Sequence, residues 1–131
     1  MKNNNIISGT LVLAVMLCLV LGCSQHGTKL EINGGELYYT ANVKANEAQA
    51  LGDYLLEGNF FDGKRKSVQL DKSGSTYQFR MVVKPELRND KSYRDTCKLV
   101  ARELSANVFD DEPVEIHICD ENFKTIRVVK S

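Results

Sequence analysis

The chain predicts an α+β domain, with two helices on one face of a largely antiparallel sheet. Three observations carry that prediction. Apolar and polar residues alternate with period two in several short stretches, the mark of strands with one buried face. In Ala45–Glu57 and Asp90–Phe109 the alternation gives way to a helical period. Between alternating stretches stand turn residues, Asn33-Gly34-Gly35 and Lys72-Ser73-Gly74-Ser75.

Taken in order, Leu30-Glu31-Ile32 and Glu36-Leu37-Tyr38-Tyr39-Thr40 flank an Asn-Gly pair, both members of which tolerate φ > 0, so a short hairpin is expected. Ala48, Leu51, Gly52 and Leu55 then share one helix face, and Gly58 is the expected left-handed stop. Phe60-Phe61 supplies an apolar anchor before a turn at Asp62-Gly63. Ser67–Asp71 and Thr76–Lys84 form a second hairpin, with Val68, Leu70, Tyr77, Phe79, Met81 and Val83 inward. Pro85 has no N–H for a ladder and ends that strand. The second helix carries Tyr93, Cys97, Val100, Leu104 and Val108 on one stripe. Val114–Cys119 and Lys124–Val129 close the chain as a third strand pair through Asp120-Glu121-Asn122-Phe123. The centre of this order, strand-helix-strand-strand-helix-strand, is ferredoxin-like, with extra hairpin strands outside it.

Alternation also assigns the faces. With Val114, Ile116 and Ile118 beneath the helices, Glu115, His117 and Cys119 fall on the opposite, open face. Gln78 and Arg80 join them there, and so do Thr125, Arg127 and Val129 if Ile126 and Val128 point inward. Arg80, Glu115, His117, Cys119 and Arg127 are therefore the expected binding face. Cys97 belongs to the buried helix stripe, so a sheet separates it from Cys119. A disulfide needs Cα atoms about 4.4–6.8 Å apart, and no bridge is expected.

Glu115-x-His117-x-Cys119 is the one group with chemical potential. Alternate strand positions lie about 6.6 Å apart, which suits neither bonds of about 2.0–2.3 Å to one metal ion nor a Cys-His pair in hydrogen-bond reach. No metal, cofactor or catalytic residue is assigned, and a small thiol or hydrolytic enzyme using His117 and Cys119 is the secondary reading. No nucleophile elbow, zinc helix, phosphate loop, Cys-x-x-Cys or dinucleotide fingerprint is present. Lys64-Arg65-Lys66, Asp110-Asp111-Glu112 and Asp120-Glu121-Asn122 read as solvated turns.

The N-terminal segment supplies an address. After Lys2, Leu11–Leu21 is an unbroken run of eleven apolar residues ending in Gly22-Cys23, too short for a span that needs about 20. Val20-Leu21-Gly22-Cys23 resembles the lipobox of bacterial lipoproteins. The resemblance implies removal of residues 1–22, acylation of Cys23 and anchoring in the cell envelope through the lipid bilayer. Several acyl chains on one residue hold a protein stably, at about 0.8 kcal/mol for each buried CH₂. Ser24 follows the cysteine where an Asp would imply inner-membrane retention, so the resemblance implies the outer membrane in a Gram-negative cell. Ser24–Lys29, with His26, would be a tether of at most about 20 Å.

Cleavage after Gly22 leaves 109 of the 131 residues, one domain in size. Sixteen basic and seventeen acidic side chains remain, a net charge of about −1. That balance offers no basic field, and nucleic acid is not an expected partner. Gly35–Thr40, Thr76–Arg80 and Val114–Asp120 make the mature part similar to small uncharacterised bacterial domains, which implies one compact unit and no particular activity. The expectation is a lipid-anchored, non-enzymatic interaction or accessory domain that meets another envelope protein or a small ligand through its open face.

Overall fold

The computed structural model describes residues 25–131; the expected signal segment and Cys23 lie outside the described residues. Strands β1 (Thr28–Ile32) and β2 (Gly35–Tyr39) form the first hairpin. Its turn residues Asn33 and Gly34 have φ of 44° and 83°, the left-handed pair that Asn-Gly provides. Helix α1 (Ala45–Glu57) follows and buries Ala48, Leu51, Gly52 and Leu55. The left-handed residue that follows it is Asn59 rather than Gly58. Asn59 carries φ 64°, and the Asn59 and Phe60 amides donate to the Leu56 and Leu55 carbonyls, which satisfies the last turn.

Strands β3 (Ser67–Ser73) and β4 (Thr76–Val82) make the second hairpin, and Pro85–Leu87 adds a 3-10 turn. Helix α2 (Lys91–Asn107) is capped by Asp90, whose carboxylate accepts from the Tyr93 amide at 2.8 Å, as side-chain caps do. It buries Cys97, Ala101 and Leu104. Strands β5 (Val114–Cys119) and β6 (Thr125–Lys130) complete the chain. Among the described residues no helix is long and apolar enough to cross a membrane.

The six strands of the described residues join one mixed, mostly antiparallel sheet, and the class is α+β. Leu37, Val68, Met81 and Ile118 lie in one row across it, and Leu70, Phe79, Ile116 and Val129 in the next. These rows form the core beneath the two helices.

The spatial order differs from the ferredoxin-like expectation. Strands lie in chain order, so β2 and β3, and β4 and β5, are directly adjacent parallel pairs instead of interleaved ones. The two pairs run in opposite directions, both crossovers step the same way, and both helices cover the face bearing Phe79 and Met81. The two strand-helix-strand units therefore have opposite hands, although about 98% of such units are right-handed. Burial decides it: a helix on the other face would lay Cys97 and Leu104 against Gln69, Arg80 and His117, leaving polar groups in an apolar contact.

Candidate functional site

The face expected to be open is largely closed. His117 is 7% and Cys119 0% exposed, and Gln69 beside them is buried. Tyr38, Gln69, Arg80 and His117 form a row across β2 to β5. Over it lie His26 and Phe123, whose rings meet each other at 5.0 Å and Tyr38 at 5.5 and 5.9 Å. All three contacts are edge to face, the arrangement ring quadrupoles favour. Gln69 Nε2 donates to the His26 carbonyl at 2.8 Å, and Arg80 Nη2 to the Phe123 carbonyl at 2.8 Å. His26 is thus packing rather than tether. Thr28 and Lys29 are likewise in β1, paired with Tyr39 and Tyr38.

Arg127 is not on this face. A bulge at Ile118/Cys119 sets Cys119 opposite Thr125 and Ile118 opposite Arg127, so the alternation of β6 flips between Thr125 and Arg127. Thr125 does face His117, its Oγ1 2.9 Å from Nδ1. Arg127 falls on the helix side and donates to Asn89 Oδ1 at 3.0 Å. Val129 is core at 5% exposure, whereas Ile126 and Val128 are exposed. An extra residue in a strand leaves no periodic trace, because its neighbours still alternate in sequence.

What remains of the expected group is Arg80, Glu115, His117 and Cys119, which the sheet does bring together. His117 Nε2 lies 3.3 Å from Glu115 Oε1. Desolvation pulls the His117 pKa below its ordinary value, the Glu115 hydrogen bond opposing it and Arg80 adding to it, so the imidazole is neutral near pH 7. Desolvation likewise raises the Cys119 thiol. Its Sγ donates to the His117 carbonyl at 3.5 Å. A thiol held protonated and out of solvent is a poor nucleophile, and the geometry does not support thiol chemistry here. Cys97 is also free and buried, on the other side of the sheet.

The open space is on the helix side. Between α1 and α2 runs a groove of about 610 Å³, floored by Phe79 and Met81 and walled by Leu55, Val100 and Leu104. That volume lies within the roughly 300–1,000 Å³ of small-molecule sites, and the lining is mostly apolar and aromatic, as such sites are. Tyr54 Oη donates to Glu103 Oε2 at 3.2 Å across one end. At the other end Phe60, Met81 and Tyr93 also line a second cleft of about 860 Å³.

This second cleft is basic. Lys64, Arg65, Lys66, Lys84 and Arg88 line it against the carboxylates of Glu36 and Glu121. Arg65 pairs with Glu36 at 3.3 Å and Lys66 with Asp62 at 3.3 Å, while Lys66 Nζ also donates to the Phe60 carbonyl. The run read as a solvated loop is therefore partly structural. Lys64 and Lys84 have no carboxylate partner among the described residues. Periodicity marked Tyr93 and Val100, and Phe60 read as an apolar anchor, but the gap they line depends on helix spacing. Lys84 and Arg88 meet Lys64 only through the fold.

A family model described as a family N-terminal domain matches residues 29–131. No curated protein and no solved structure matches the chain.

Proposed function

We propose that this chain, which belongs to the AF_1994_N family, is a lipid-anchored, non-enzymatic binding domain of a bacterial cell envelope, held through acylated Cys23 and presenting the interhelical groove to its ligand. The groove carries the reading. The face opposite the helices is capped by His26 and Phe123, whereas on the helix side a crevice lined at its mouth by half-buried Tyr54, Phe60, Tyr93 and Val100 leads down to buried Phe79 and Met81. The anchoring half of the reading rests on Leu11–Cys23 and the lipobox resemblance. Burial and protonation of Cys119 weigh against the thiol alternative.

Fractionation of cells expressing the full chain tests the anchor. Wild type should sediment with membranes, and Cys23→Ala should be unprocessed or soluble. Sedimentation of the variant at wild-type levels would remove the anchored reading.

A further inference from the structure

The groove and the basic cleft adjoin at Phe60, Met81 and Tyr93, which line both, and together they make a two-part depression. We infer that this depression binds an anionic amphiphile: one acyl chain in the groove, with its carboxylate or phosphate head among Lys64, Lys84 and Arg88. The inference deepens the binding-domain reading and rests on it.

Charge orients the ligand. Glu57 and Glu103 line the groove, whereas the adjoining cleft holds five cations and two carboxylates. An anionic head is thus repelled from the groove itself and attracted to the cleft. The Lys64 and Lys84 ammonium groups are exposed and without a carboxylate partner among the described residues, ready to accept one. Arg88 is already positioned, its Nε donating to the Val83 carbonyl at 2.9 Å. Lys66 holds the junction: its Nζ sits 5.1 Å from the centroid of the Phe60 ring and pairs with Asp62. In a chain whose acidic and basic side chains balance, this clustering is local, and the apolar groove opens onto it.

Position supports the same occupant. His26 lines the basic cleft. It stands three positions after Cys23, a reach of at most about 10 Å for an extended chain. An acylated Cys23 keeps the mouth of the depression near the bilayer, where single-chain anionic amphiphiles reside.

The test uses the full-length chain in its own membranes, exposed to light-activated probes carrying a diazirine in the tail: a fatty acid, a single-chain lysophosphatidate, and a fatty alcohol of equal length. Adducts are then located by peptide mass spectrometry. The expected result is labelling of peptides containing Leu55 or Val100 by at least one anionic probe, the stronger identifying the head, with the alcohol weaker. Val100→Trp, which fills the groove, should abolish it. Lys64→Glu with Lys84→Glu, both at exposed positions, should lower anionic labelling about three- to tenfold, the factor two exposed ion contacts supply, and leave the alcohol unchanged. Absence of groove adducts, equal labelling by the alcohol, or labelling that survives Val100→Trp would overturn the proposal. Groove labelling seen only in Cys23→Ala would also overturn it, since the chain's own lipid would then be the occupant. Membrane partition measured in the same cells reports separately on the anchor.

Discussion

Arg80 and Phe123 are joined by a 2.8 Å hydrogen bond from the Arg80 guanidinium to the Phe123 carbonyl, tying the centre of the sheet to the β5–β6 loop. Phe123 sits at φ 58°, a left-handed conformation that a bulky side chain rarely adopts. Four contacts hold it there: the Arg80 bond, the Phe123 amide donating to the Asp120 carbonyl at 3.0 Å, and the edge-to-face rings of His26 and Tyr38. Arg80 is therefore a clamp over the second face, not a free docking residue.

Arg80→Ala should lower stability by about 1.5–3 kcal/mol, since it strips a charge-assisted bond from a partly buried carbonyl. Arg127→Ala removes an exposed contact to Asn89. That loss should stay within about 0.5 kcal/mol. Denaturant midpoints at constant slope check both. Equal effects would mean that Arg80 is no clamp.

Both thiols should resist alkylation in the folded protein at neutral pH and react fully on unfolding. Desolvation raises the pKa of Cys97 and Cys119, and neither is more than 2% exposed. Buried, protonated thiols are inert. Intact mass after alkylation, with and without denaturant and without reductant, reads this directly. Fast selective modification of Cys119 would return the thiol reading to favour.

The pH dependence of stability should carry a histidine signature. His117 has a folded pKa below its unfolded value near 6.5, so the unfolded chain takes the proton first. Stability is full above about pH 6.5 and falls as the pH drops from there through the lowered folded value. Carboxylates come later. Desolvation raises the Asp71 carboxyl, but hydrogen bonds from Thr40, Lys72 and Asn42 outweigh it and leave the pKa below normal. Its contribution is therefore lost only below about pH 4. His117→Asn should flatten the upper part of the acid limb and keep the lower part. Melting temperatures between about pH 7 and 2.5 separate the two.

The β6 bulge makes a prediction about neighbours. Val129 is buried and Val128 exposed. Val129→Ala should cost about 1.5–3 kcal/mol, the worth of a buried valine. Val128→Ala should stay within about 0.5 kcal/mol, as exposed substitutions do. A strand without the bulge would reverse that order. The midpoints of the two variants decide it.

Period and turn chemistry alone determined both helices, the turn at Asn33-Gly34, the buried residues of α1 and the α+β class, because each depends on contacts within a few residues. Opposite placement of Cys97 and Cys119 was legible for the same reason. Only the tertiary structure decided the strand order and the rarer hand of one crossover, where burying a single apolar face outweighed a general preference. Closure of the second face was equally invisible, since alternation says which way His117 points but not that His26 and Phe123 come from distant segments to cover it. Arg127 changed sides because one extra residue in β6 shifted the register. The groove and its basic mouth are spaces between elements, and a space has no residue of its own to leave a mark in the sequence.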